Sequence, residues 1–381
     1  MMRRIKRLRP TGKKRIPVAT KSFGRRTSWN IIILVFGLAL FGLTMIFNVS
    51  ALSALSDFGD KFYYVKEQAQ WFAVGTIVMI FLMHMNYRQL QLIAIPLLLS
   101  TFALLAAVFL PGIGIRAYGA SRWVDLGFIT VQPAELAKLT LIIYLAAWFS
   151  NKEEKRLTSF LVLLGLIIGP VILQPDLGTS VVLVTISLAM YFLSGAPFWH
   201  FGMLVPVVGA GIAGLAISAP YRMQRVLTFL NPSADPQGFS YHVRQIQIAL
   251  GSGGLFGVGI GESRQKYAYL PEVTTDSIFA IIGEEFGFIG ATIVMILFFV
   301  LVLSALRIAF TASDDFGKLL AGGIAFALSL QIIINLSAMV SLIPLTGIPL
   351  PFISYGGSNL VVSCAMIGIL ASIARLRKST K

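Results

Sequence analysis

The sequence predicts an all-α polytopic integral membrane protein of about ten transmembrane helices. Both termini are cytoplasmic, and a large extracytoplasmic loop separates helices 7 and 8. Three observations carry this. Apolar windows of about 20 residues, enough to cross ~30 Å of hydrocarbon, recur along the 381 residues. Hydrophobic residues make up 56% and charged residues 12%, with a mean hydropathy of +0.82, whereas soluble domains carry roughly 25% charged residues. Basic residues gather in one terminal tail and in short loops between spans.

Taken in order, residues 1–28 hold 11 of the 31 Lys and Arg and no acid. This stretch reads as a disordered cytoplasmic tail that orients the first helix and touches anionic lipid. Nucleic acid is not its partner, since it lacks interleaved aromatics and abuts a span. It is too long for a signal-peptide n-region, and further spans follow at once. Spans are expected at 30–49, 68–86, 90–110, 133–150, 157–173, 178–194, 199–218, 276–306, 318–341 and 354–374. With the tail inside, the loops around Arg88, Asn151 to Arg156, Pro197 to His200 and Arg307 to Lys318 are cytoplasmic, as are Arg375, Arg377, Lys378 and Lys381. An even span count agrees. The domain reading is therefore a tail at 1–28, a transmembrane domain at 29–376 and a second tail at 377–381. One cysteine, Cys364, excludes an intrachain disulfide, and the three histidines are far apart in sequence, which argues against a His-based zinc site.

The two longer outer segments, Pro111 to Gln132 and Ala219 to Thr275, carry Arg116, Arg122, Arg222, Arg225, Arg244, Arg264 and Lys266. Arginine outside runs against topological bias, and an anionic substrate supplies a reason, because Arg binds phosphate bidentately. Lipid head-group contact or solvation is the plainer alternative for each. Tyr241 to Leu250 reads as a short amphipathic helix. Gly251 to Gly261 superficially resembles a phosphate loop, but no βα unit surrounds it and no Gly-Lys-Ser/Thr follows. Its glycines either allow close backbone packing or aim N–H groups at a pyrophosphate.

Several acids stand where a membrane helix makes them costly. Asp276 lies at the outer mouth of the eighth span, with Ala280, Gly283 and Gly287 below it near one helical face. We read Asp276 as the reactive carboxylate, an N-cap being the alternative. Glu272, Glu284 and Glu285 surround it in sequence. Glu135 and Lys138 share a face of the fourth span and form either a packing ion pair or part of a polar cavity. Asp176, in Gln-Pro-Asp-Leu-Gly-Thr, is either a helix cap or a ligand for a cation or sugar. Gln331 and Asn335 point one way. Pro344, Pro349 and Pro351 break the chain after the ninth span, which is tolerated where protein or a wet cavity covers the backbone.

At these residues the chain resembles the SEDS family of bacterial cell-wall synthesis. The matching stretches are GASRWVDLGFITVQPAELAKL, QPDLGT, GVGIGESRQKYAYLPEVTTDSIFAIIGEEFG and PLTGIPLPFISYGGSN, and the resemblance runs from about residue 30 to 374. It implies a ten-helix peptidoglycan glycosyltransferase of the cytoplasmic membrane that polymerises lipid II, with wording closest to the division branch and hence a septal location. It implies that Asp276 matches the family's essential aspartate, and that Arg122, Trp123, Glu135 and Lys138 match positions around a central cavity. Asp176, Arg244, Lys266 and Glu272 complete the expected substrate contacts. Thr274, Ser277, Ser341 and Asn359 depart from the commoner His, Phe, Gly and Ser. Expected partners are lipid II and nascent glycan, membrane lipids, a class B penicillin-binding protein and other divisome proteins. No cofactor is required by the sequence; a divalent cation, Mg or Mn, would assist the leaving group. A lipid II flippase and a non-catalytic division scaffold are the rival functions.

Overall fold

A computed structural model describes residues 20–117, 120–127, 129–151, 156–218, 220–231, 239–266 and 273–376. Ten helices coincide with the ten expected spans. They are α1 (Thr20–Phe58), α2 (Tyr63–His84), α4 (Ala94–Ala107), α5 (Pro133–Phe149), α6 (Leu157–Leu173), α7 (Leu177–Leu193), α8 (Phe198–Ile217), α11 (Ile278–Thr311), α12 (Asp315–Met339) and α13 (Gly357–Arg375). A short α3 (Gln89–Leu92) precedes α4, and α9 (Pro220–Leu230) and α10 (Phe239–Ser252) lie in the loop after the seventh span. Five of these helices are by themselves long and apolar enough to cross a membrane, among them α8, α11 and α12. α1 starts at Thr20, inside the stretch expected to be a tail. Residues 1–19 and 377–381 lie outside the described residues.

One element is not helical. β1 (Gly114–Ala117), β2 (Ala120–Asp125) and β3 (Thr130–Val131) form an antiparallel sheet in the order β1-β2-β3. Ile115 faces Trp123 and Val124 faces Val131. The purely helical expectation missed it because strands of four, six and two residues are too short for a period of two to show.

α13 is the central post. Its apolar window is 89% buried, against 6% for α8 at the rim. In lipid that exposed surface faces acyl chains, so apolar side chains there need no protein partner. Small residues let α2 and α13 close up: a Cβ on Gly368 would come within 2.5 Å of Met79 O, and one on Gly75 within 3.1 Å of Cys364 Sγ.

Polar ties mark two opposite ends of the bundle. At one, Ser28 Oγ donates to Ala371 O, Arg375 to His84 O, and Tyr87 and Arg88 both to the Asp314 carboxylate. Ser28 near the start of α1, Arg375 at the end of α13 and the Arg88–Asp314 pair all lie there. At the other lie the sheet, the α6–α7 break, the surface helices and the turn carrying Asp276.

Candidate active site

Asp276 is the penultimate residue of the turn 273–277, just before α11, and is 7% exposed. Its main chain is clamped. Asn335 Nδ2, on α12, donates to Asp276 O and to Ile348 O, both at 2.9 Å. Tyr355 N donates to Thr274 O at 2.9 Å. Thr275 Oγ1 donates to the Asp276 carboxylate at 3.3 Å. Gly347 lies against that carboxylate, since a Cβ there would sit 4.0 Å from Oδ2. Asn335 thus does more than glue helices: it joins the Asp276 turn to the Pro-rich segment. Gln331, one turn away, donates to Asn359 on α13.

The segment from Ser341 to Gly356 has no helix, yet side chains satisfy its backbone, as burial demands. Gln68 on α2 donates to Ser354 O and accepts from Gly356 N, and Ser354 Oγ accepts from Leu350 N. The Tyr355 hydroxyl donates to Glu67. Burial and then the Glu67 carboxylate push that phenol well above its ordinary pKa, so it stays a donor.

Two further segments reach the same place. Arg122, on β2, donates through Nη2 to Pro175 O at 2.7 Å. Gly178, three residues on, packs on the Pro-rich segment, where a Cβ would meet Thr346 O at 2.8 Å. The sheet, the α6–α7 break, the Pro-rich segment and the Asp276 turn are therefore linked by a continuous chain of contacts. Trp123 is half-buried on β2 beside Arg122.

Other expected site residues have different work. Asp176 caps α7, accepting from Thr179 N at 3.1 Å and Thr179 Oγ1 at 2.8 Å; the capping alternative explains it. Lys266, expected to bind substrate, is drawn inward to Glu285 (3.3 Å), Asn48 Oδ1 (2.9 Å) and Gly261 O (2.6 Å). Asn48 also donates to Glu285, while Glu284 accepts from Ser263 Oγ and Arg264 N. This buried cluster fixes the Gly-rich segment to α11, because a buried cation needs a paired acid more than a solvated one does. Glu135 and Lys138 are paired to each other at 2.7 Å, both buried. Arg244 is exposed on α10, and Glu272 lies outside the described residues.

The phosphate-cradle reading of the glycines is also corrected. Val258 N and Gly259 N donate to Glu284 O and Glu285 O, while Gly254 O and Leu255 O accept from Phe288 N and Ile289 N. α11 is broken at Gly287 (φ 67°), where a Cβ would come within 2.3 Å of Gly257 N. The glycines let two backbones touch, and the N–H groups of Val258 and Gly259 bond α11 carbonyls rather than phosphate.

Sequence reasoning missed His242. Its Nε2 lies 2.8 Å from Ser277 Oγ. Burial and then Arg225 lower its pKa to about 4, so it is neutral at pH 7. Its place on the inner face of the amphipathic α10 was the available signal. Beside it a small open cleft is lined by Arg225, Phe229, Val243, Gln247, Pro344 and Leu345, among others. Arg225 Nη1 donates to Leu345 O at 3.3 Å. Leu345 lines the cleft and Gly347, two residues on, lies against the carboxylate. Among the described residues no three His, Cys, Asp or Glu side chains gather as metal ligands.

The family model described as cell cycle protein, FtsW/RodA/SpoVE, matches residues 28–379. The chain belongs to that family. Stage V sporulation protein E of Bacillus subtilis is 40% identical over 360 residues, covering 92% of this chain and 98% of that protein. A probable peptidoglycan glycosyltransferase FtsW of Geobacter sp. (strain M18) is 37% identical over 358 residues, with the same coverage. Among solved structures, a chain of a peptidoglycan synthase complex superposes with TM-score 0.74 at 28% identity, over 92% of this chain and 98% of that one. The rod shape determining protein RodA of Thermus thermophilus gives TM-score 0.68 at 26% identity, over 92% and 97%. Family membership accords with the ten helices among the described residues.

Proposed function

We propose that this protein is a peptidoglycan glycosyltransferase that polymerises lipid II into glycan strands at the outer face of the bacterial cytoplasmic membrane, for septal wall synthesis. Relatives named as probable peptidoglycan glycosyltransferases support the activity. The single structural observation that carries it is the clamped Asp276, set where four outer segments converge.

The donor is the growing glycan on undecaprenyl pyrophosphate. The 4-hydroxyl of GlcNAc in lipid II attacks the anomeric carbon of the donor MurNAc. The new C–O bond forms as the bond to pyrophosphate breaks, with inversion, and the leaving group takes the electron pair. Asp276 accepts or orients the hydroxyl proton, a role worth ~10²–10⁴-fold. Its main-chain clamp fixes the carboxylate's direction before substrate arrives, and preorganisation of this kind lowers the barrier. Arg122 on the sheet and the exposed Arg244 supply cationic charge toward the pyrophosphate. Lys266 is committed to Glu285 and takes no part.

The partner we propose is a single-span class B penicillin-binding protein, which crosslinks what this chain polymerises; the superposition on a peptidoglycan synthase complex supports it. The test is polymerisation of purified lipid II by the full chain in liposomes, with and without that partner. Polymer from the natural chain and none from Asp276→Asn supports the enzyme. Translocation without polymer means a flippase, and full cellular function of Asp276→Asn means a scaffold.

A further inference from the structure

Ser277 holds the N-cap position of α11 but makes no side-chain cap bond (φ −93°, ψ 3°). A serine there ordinarily turns its oxygen to the N–H groups of the first turn. This one instead shares its hydroxyl with His242 Nε2 at 2.8 Å. The helix start forgoes a cap for a bridge to a neighbouring element.

That element is well anchored. Ile246 and Ala249, four and seven residues after His242, share its face and are buried. Leu250 lies over Gly283, where a Cβ would come within 2.5 Å of it. α10 is thus seated on the first turns of α11, and His242 reaches back to the residue after Asp276. On the far side Asn335 grips the Asp276 carbonyl. The two anchors come from different helices and flank one residue. Held neutral by burial and by Arg225, the ring offers one N–H and one lone pair.

We propose that His242 is a positioning residue for glycosyl transfer: through Ser277 it sets the direction in which the Asp276 carboxylate meets the acceptor hydroxyl. This rests on the reading of Asp276 as the reactive carboxylate. A carboxylate turned by about an ångström loses up to ~10²-fold in rate while substrate binding and folding stay as they were.

The experiment measures kcat and KM for lipid II polymerisation, together with thermal melting, on the full chain in liposomes. His242→Ala is expected to lower kcat by about tenfold with KM and melting unchanged. Ser277→Ala should do the same, and the double variant no worse than either, because both cut one bridge. His242→Gln, whose amide reaches the same hydroxyl, should recover kcat to within about twofold of the natural chain. Natural kcat in His242→Ala, losses that multiply in the double variant, or a well-folded His242→Gln as slow as the alanine variant would each overturn the proposal. If His242→Ala does not assemble, Ser277→Ala and His242→Gln decide alone. Asp276→Asn is assayed alongside. Should it still make polymer, the role of Asp276 fails and this inference with it; should it be inactive while His242→Ala is normal, only the positioning role fails.

Discussion

Asp276 and the pair Glu284–Glu285 stand on one short stretch of chain, all buried, all at the start of one membrane helix. Their surroundings differ. Around the two glutamates the side chains are the anchor points: Asn48, Lys266, Ser263 and Arg264 converge on carboxylate oxygens, and a segment of glycine backbone is pinned there. At Asp276 the main chain is the anchor point, held by Asn335 and flanked by Tyr355 and Ser277. The glutamate carboxylates are gripped through their oxygens by remote segments, whereas at Asp276 the remote grip is on the main chain and the carboxylate accepts from its neighbour Thr275.

Substitutions at each place test that contrast. Asp276→Asn keeps shape and every main-chain contact, so melting should be unchanged while polymerisation falls ~10²–10⁴-fold, equivalent to about 3–5 kcal/mol of barrier. Glu285→Ala should behave in the opposite way. It leaves the Lys266 ammonium buried without its acid, which costs ~3–5 kcal/mol of stability, read as a lower melting temperature in detergent. The molecules that remain folded should polymerise at the natural rate. If they do not, the Glu285 cluster belongs to the site. Asn335→Ala is the intermediate case. It strips a donor from two carbonyls in a buried place, about 2–3 kcal/mol together, and frees the Asp276 peptide. Both melting and kcat should fall, with kcat falling further than the folded fraction explains.

The sequence was legible where lipid imposed the pattern. Spans such as 157–173 and 199–218 were read nearly to the residue, because a helix in hydrocarbon must be apolar for its whole length. The place of Asp276 at the mouth of α11 was legible because an acid is costly at the start of a membrane helix. Lys266 was misread because its partners are remote: Glu285 is 19 residues away and Asn48 is 218. A cation near an outer loop looks the same in sequence whether it faces substrate or an internal acid. Asp176 was ambiguous for the converse reason, since its cap partner Thr179 is local but capping and binding use the same oxygens. The glycines of 251–261 marked a close approach without saying what approached. Their counterpart, Gly287, sits inside an apolar run where nothing in the pattern signals a break.

The smallest effect is expected at Ser341, the first residue beyond the α12 C-cap. Ser341 N donates to Ala338 O and Leu342 N to Ser337 O, the paired closure that ends many helices with a left-handed residue. Ser341 has φ 57°, a conformation that costs a side chain ~1–2 kcal/mol and glycine almost nothing. Ser341→Gly removes that strain, but it also loosens the unfolded chain by roughly 0.5–1 kcal/mol. It deletes as well the 3.2 Å bond from Gln247 on α10 to Ser341 Oγ, which is exposed and worth at most about 0.5 kcal/mol. The contributions nearly cancel, so melting should stay within about 1 °C of the natural chain. Polymerisation should not change either, because this bond ties α10 to the helix end and not to the turn that carries the carboxylate. A clear loss of kcat would mean that α10 acts on Asp276 through both of its polar ties, and the contrast between an aimed backbone and gripped oxygens would then have to extend to the cleft wall.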